Sequence, residues 1–170
     1  MLLPLTLLLT TVVATQAGTL TFTAPSTWKA RPATSSMRVA EFVVPKASAD
    51  PEDAELIVYF FGGGGGSVEA NMQRWVGQFR QPSGAAAKDG GRATFNVGNL
   101  KVTTVDVSGT YVAELRPGAA ERHDKPKFRM RAAVVETPKG PYFVKFTGPA
   151  ATVQQASAAF DQFLKSLRFQ

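Results

Sequence analysis

A hydrophobic run, five consecutive glycines and an amphipathic segment follow one another between residues 55 and 81. This change of period constrains the fold more than any other feature of the chain. Leu56, Ile57, Val58, Tyr59, Phe60 and Phe61 succeed one another without a polar break. Such a run predicts a strand over Glu55–Phe61, buried on both faces. Beyond the glycines the apolar residues are Val68, Met72, Trp75, Val76 and Phe79. At about 100° per residue they form one stripe, the mark of a helix with a single buried face. Ser67 is placed to cap its first amides and Glu69 complements its positive end. Pro82 forces Gln81 out of helical geometry, so the helix is expected to stop there.

Ordering Gly62–Gly66 costs about 0.5–1 kcal/mol more per residue than ordering alanine. Such a loop is either a flexible connector or a place where bare backbone is needed. A glycine turn that opens a helix can cradle an anion, which makes Gly65, Gly66 and Ser67 candidate ligand-binding residues. Asn71, at the edge of the apolar stripe, either ties the loop down or contacts a ligand held in it. A phosphate loop would need Lys and Ser/Thr after its last glycine, where Ser67 and Val68 stand, and no dinucleotide fingerprint is specified.

The chemistry available is narrow. The absence of cysteine excludes disulfides and thiolate ligands, and one histidine makes a transition-metal site poor. That histidine, His123, lies in a charged loop and lacks the buried carboxylate and nucleophile of a catalytic triad; a solvated ring is expected. Asp50, Glu52, Asp53 and Glu55 crowd one turn without the calcium-loop pattern, and read as a solvated acidic turn. Glu41, Asp106, Glu114 and Glu136 lie in or beside strands, but no spacing predicts a facing pair for glycoside hydrolysis. No catalytic residue, metal or cofactor is therefore assigned.

The formal charge of +6 favours anionic partners. Lys127, Arg129 and Arg131 alternate with Phe128, Met130 and Ala132, so a strand here presents a basic ridge on one face. The ridge suits anionic lipid headgroups, a wall polymer or an acidic protein. It lacks the interleaved aromatics of a nucleic-acid platform. Met1–Ala14 is almost wholly apolar and small residues follow, so residues 1–17 resemble a secretory signal peptide. They leave 18–170 as one exported, monomeric domain with no transmembrane segment.

The remaining strands are expected at Thr19–Thr23, Met37–Val44, Arg92–Val97, Leu100–Val107, Tyr111–Leu115, Phe128–Thr137 and Tyr142–Thr147. Gly98-Asn99 and Pro138–Pro141 turn two hairpins. Trp28, in the turn-like 25–34 segment, either anchors that loop on the core, the usual role of such a residue, or stacks on a ligand. A closing helix opens at Thr152 with Gln155 as capping-box partner. It carries Val153, Ala156, Phe160, Phe163, Leu164 and Leu167 on one face, and Asp161 and Lys165 pair on the other. The sum is an α+β sandwich, a mostly antiparallel β-sheet covered by two main amphipathic helices.

This layout, with Trp28 before the first long strand, the late hairpin and the closing helix through Phe160, Phe163, Leu164, Ser166 and Leu167, resembles the PsbP-like fold (PsbP/DcrB type). That group contains the PsbP subunit of photosystem II and exported bacterial relatives. The Val-Glu-Ala-Asn…Arg-Trp…Gln-Phe run from Val68 to Phe79 is similar to small uncharacterised exported bacterial proteins. The resemblance implies the fold and no functional residue. On residues alone the chain is expected to be a non-enzymatic envelope accessory or binding domain. The alternatives are a small-anion or carboxylate binder at the Gly62–Gly66 loop and a carboxylate-dependent hydrolase.

Overall fold

The computed structural model describes residues 19–87 and 90–170. The signal-like segment 1–17 lies outside them. Ten strands and three helices occur among the described residues: β1 (Leu20–Thr21), β2 (Lys29–Arg31), β3 (Arg38–Val44), β4 (Ala54–Phe60), α1 (Val68–Val76), β5 (Phe79–Arg80), β6 (Gly91–Val97), β7 (Leu100–Tyr111), β8 (Lys125–Glu136), β9 (Tyr142–Pro149), α2 (Ala150–Gln155), α3 (Ser157–Lys165) and β10 (Arg168–Phe169). Eight strands form one antiparallel sheet in the order β2-β3-β4-β9-β8-β7, and β7 carries β5 and β6 along its outer edge. β1 and β10 pair as a separate ribbon. The fold is the expected α+β sandwich.

Strand alternation divides the core in two. Val144 and Phe146 of β9 join Ala133 and Val135 of β8 on the face covered by Val153, Phe160, Phe163 and Leu164 of α2 and α3. Phe143, with Met130, Ala132 and Val134, faces Met72 and Trp75 of α1. Trp75 and Phe160 are 1% and 0% exposed, so both helices seal the sheet. Trp28 is buried against Phe42, Phe146 and Phe163, with ring centroids 5.8–6.2 Å apart. Full burial of a Phe-sized side chain contributes about 1.5–3 kcal/mol.

Several boundaries differ from the sequence reading. α1 ends at Val76, where the Gly77 N–H closes on Gln73 O at 2.9 Å. Phe79 reaches the same core from β5, paired with Tyr111, not from the helix. β7 does not break at Ser108-Gly109; it bulges there and runs to Tyr111. The closing helix starts at Ala150 and is interrupted at Ala156, so Thr152 lies inside α2 and forms no capping box. Its N–H and hydroxyl instead donate to Asp50 Oδ2, at 2.7 and 2.5 Å, so a carboxylate from the β3–β4 turn anchors the helix. Asp161 pairs with Arg131 at 2.7 Å in place of Lys165. β2 and β10 are too short and too exposed to leave a periodic signal.

The glycine stretch is seated on the sheet. Gly62, Gly63, Gly65 and Gly66 have positive φ, a region closed to most side chains. A Cβ on Gly65 would lie 2.6 Å from the Phe143 ring, and one on Gly140 would lie 2.4 Å from Gly63 Cα. The loop thus packs on β9 and on the β8–β9 turn. Gly65→Ala is expected to lower stability by about 2–3 kcal/mol through overpacking and strain together. Gly62→Ala, with nothing within 4 Å of its Cβ, is expected to lose about 1–2 kcal/mol from φ alone. Urea unfolding of the two variants checks the difference.

Candidate functional site

α1 is nine residues long and sits on β7 and β8. Trp75 reaches as far as Phe143 of β9, and beyond it the same sheet face continues over Lys145 and β4 without a helix above it. A cleft of about 820 Å³ opens there, bounded by α1, the 34–38 segment and the 111–123 loop. Phe143 and Lys145 of β9 and Tyr59 of β4 line it from the sheet side, Trp75 and Gln78 from α1, and Tyr111 from the end of β7. β-Alternation explains the floor: positions 143 and 145 of β9 share a face, as do Glu55, Tyr59 and Phe61 around β4.

The cleft is cationic. Arg38, Arg74, Arg116, Arg122 and Lys145 line it against two carboxylates, Glu55 and Glu114. Both carboxylates are engaged, Glu55 by Arg31 at 2.7 Å and Glu114 by Arg122 at 3.4 Å. Arg38 lies over the Tyr59 ring, 5.6 Å from its centroid, and is held by Glu41 at 3.2 Å. Glu41 is the buried anchor beneath this wall. Its Oε1 accepts from the Thr34 N–H and hydroxyl at 2.7 and 2.8 Å, and Oε2 from Arg31 at 3.0 Å. Burial alone would push this carboxyl up; the Thr34 bonds and the guanidinium groups of Arg38 and Arg31 outweigh it and hold it below its ordinary value.

Lys145, like Arg74, is a cleft cation that no carboxylate holds among the described residues. Its Nζ donates to Gln78 Oε1 at 3.1 Å, and among the described residues no carboxylate lies within ion-pair distance. Burial drives its pKa down to about 8; Glu55 opposes that shift and the like charges of Arg74 and Arg38 add to it. Burial also raises Tyr111, to about 12, and Tyr59, so both phenols stay protonated. His123 is not a solvated ring. It is half-buried and stacks on Tyr111 at 5.2 Å, and desolvation with the nearby Lys125 lowers its pKa, leaving it neutral at pH 7.

The mouth of the cleft is apolar. Among the described residues the most exposed large hydrophobic side chains are Met37, Phe61, Phe95 and Leu115, and all but Phe95 line this opening. Hydrophobic exposure concentrated at one opening marks a binding surface better than scattered exposure does.

The residues singled out from sequence fall beside this cleft or away from it. Asn71 is buried, donating through Nδ2 to Gly65 O and Ser67 O, both at 2.8 Å, and accepting from Arg74 Nη2 at 2.5 Å. It ties the glycine loop to α1 and aims a cleft arginine. Ser67 Oγ accepts from the Ala70 N–H at 3.1 Å as the helix cap. Gly66 and Gly65 lie in the same seated loop. On the opposite sheet face Arg129 grips Asp106 at 2.5–2.8 Å and donates to Gln154. Arg131 reaches Asp161 and the Ser157 carbonyl and lies over Phe160 at 5.0 Å. The alternation that set a basic ridge outward thus turns two of its members under α2 and α3; Lys127, at positive φ, stays exposed.

The acidic turn is likewise dispersed. Asp50 anchors Thr152, Glu52 binds Lys125 at 2.7 Å and Asp53 accepts from the Lys46 N–H at 2.9 Å. No group of carboxylates and histidine suited to a metal ion occurs among the described residues. No helix among them is long and apolar enough to cross a membrane. Sequence reasoning missed Lys145, Arg74, Tyr59 and Tyr111 as neighbours because they come from four separate elements. The available signal was Lys145 itself, a lone cation in an otherwise apolar strand.

Two solved structures share this architecture. A Pseudomonas aeruginosa protein of unknown function aligns over 90% of this chain and 97% of its own, at a TM-score of 0.50 and 14% identity. The solution structure of cyanobacterial PsbP (CyanoP) from Synechocystis aligns over 89% of this chain and 86% of its own, at 0.54 and 10% identity. The fold is therefore PsbP-like. No family model and no curated protein matches the sequence.

The buried Glu41 sets a pH dependence. Its folded pKa is depressed, so its stabilisation is full above the unfolded value of about 4.5 and is lost as pH falls through the lower folded value. Glu41→Gln is expected to cost about 2 kcal/mol at pH 7. The gap to wild type should narrow in acid, measured by urea unfolding at pH 7 and pH 3.

Proposed function

We propose that this protein is a non-catalytic, exported binding domain that holds an amphiphilic anion in the cleft beside α1. The observation that carries the reading is the pairing of five cationic side chains inside the cleft with apolar side chains at its mouth. A carboxylate or phosphate head would take charge-assisted hydrogen bonds from Arg74, Arg116 and Lys145. An acyl or aromatic tail would lie against Phe61, Met37 and Leu115. Such a ligand is an anionic envelope component in the chemical sense, a lipid-like acid or phosphate. The apolar stretch through Leu2–Val13 supports export. A binding role is favoured over hydrolysis because Glu55 and Glu114, the carboxylates of the cleft, already hold arginines. In this reading Gly65, Gly66, Ser67 and Asn71 act on the anion indirectly, by fixing Arg74 and the Phe61–Phe143 wall.

Thermal unfolding with octanoate, octyl phosphate and uncharged octanol tests this. A ligand at a hundred times its Kd stabilises by about 2.7 kcal/mol, a rise of about 5–10 °C for a domain of this size. Both anions are expected to give such a shift, reduced by salt, and octanol to give little. The double variant Arg74→Gln/Arg116→Gln should weaken octanoate at least about tenfold, or 1.4 kcal/mol. Equal shifts with octanol, or none with either anion, would overturn the proposal.

A further inference from the structure

We infer that Lys145 captures the carbonyl group of an amphiphilic 2-oxo acid as a reversible imine. The inference deepens the anion-binding reading and rests on it. Three observations converge on this side chain. First, its Nζ faces the cleft with one neutral acceptor, Gln78 Oε1, and no carboxylate holds it among the described residues. Lys125 and Lys101 differ in this, sitting on Glu52 at 2.7 Å and on Glu136 at 3.3 Å. Second, Arg74 and Arg38 stand close enough to act on its charge, and both line the same cleft. For the imine to form, a carboxylate held by one of these guanidinium groups must bring its adjacent carbonyl carbon to the amine. Third, Tyr59 and Tyr111 contribute protonated phenols to the same space.

Desolvation and a neighbouring cation are the two means by which a lysine amine becomes a nucleophile near neutral pH. With a pKa of about 8, roughly one tenth of Lys145 is neutral at pH 7. For an ordinary lysine at about 10.4 the fraction is about two hundredfold smaller. A less basic amine is also a poorer nucleophile, so the net advantage over an exposed lysine is set at about tenfold.

The step balances without an added reagent. The nitrogen lone pair forms a bond to the carbonyl carbon, the C=O π pair moves to oxygen, and the ammonium proton is transferred to that oxygen to give a carbinolamine. The nitrogen pair then expels the hydroxyl as water, with a phenol O–H of Tyr59 or Tyr111 or a solvent molecule as proton donor. The phenolate or hydroxide so formed takes back the remaining N–H proton, which restores the donor and leaves the neutral C=N bond. One water is released, and hydrolysis returns ligand and amine.

The full chain is incubated with 2-oxooctanoate and sodium cyanoborohydride at pH 7, and adducts are located by intact-mass and peptide mapping. Lys145 is expected to be labelled about ten times faster than the exposed lysines. Labelling there should be slowed by octanoate and abolished in Lys145→Gln. The matched 2-hydroxyoctanoate, which lacks the carbonyl, measures non-covalent binding by thermal shift. A shift with 2-hydroxyoctanoate but no adduct at Lys145 would overturn the imine and leave the binding reading standing. The absence of both would overturn both. Even labelling of exposed lysines, or labelling of Lys145 that octanoate does not slow, would also overturn it. The octanoate competition is read in the native chain, so the inference stays testable if Lys145→Gln does not fold.

Discussion

Both faces of the β8–β9 hairpin are buried, and the rest of the molecule is arranged to meet that demand. Val144 and Phe146 need cover on one side and Phe143, Met130 and Val134 on the other. An antiparallel sheet usually leaves one face to water. Here α1 covers one face and α2 with α3 the other, and neither layer is dispensable. Removing either would expose several of the side chains that are 2% open or less. At about 1.5–3 kcal/mol each, a handful of these exceeds the net stability of most domains.

The two covers are unequal. α2 and α3 continue straight from the end of β9 and are fastened at three places: by Asp50 on Thr152, by Arg131 on Asp161 and by Arg129 on Gln154. α1 is a single nine-residue segment that packs mainly on β7 and β8, with Trp75 also edge-on to Phe143 of β9. What remains of that face, over β4 and around Lys145 of β9, is bordered by the 34–38 and 111–123 segments. The cleft is therefore the part of the sheet that the shorter cover does not reach. Its cations follow from the same cause. A sheet position without a helix above it can carry Lys145 or Arg38, whereas an equivalent position on the other face carries Val144 or Val58.

The hydrophobic periods made the sheet, the helices and the hairpins legible in the sequence. Leu56–Phe61 and the Val68–Trp75 stripe announced the β4–α1 unit because each period repeats often enough to stand out. Two hairpins were marked by their turn residues. Phe79 was legible as a core residue and not as a strand, since burial leaves a pattern and a two-residue pairing does not. The break at Ala156 left every apolar position of the closing stripe inward, so the stripe concealed it. The candidate site was the least legible part. Lys145, Tyr59, Arg74 and Tyr111 are brought together by register and crossover, and nothing local to any of them encodes the others. Arg129 and Arg131 illustrate the opposite error. Their alternation is real, but it says which residues share a face and not which face meets a helix.

The ribbon of β1 and β10 has a bearing on how the molecule is connected to anything else. Thr19 and Gln170 exchange both backbone hydrogen bonds, at 2.9 and 3.2 Å, so the two extremities of the described fold are stapled side by side. Leu20 and Leu167 sink into the cluster beneath α2 and α3, on the side away from the cleft. A tether fused at either extremity would thus leave from one point at the back, with the cleft facing outward. A short linker could close the two extremities into a ring, and new ends cut into an exposed loop such as 117–121 would yield a permuted chain with its sheet order intact.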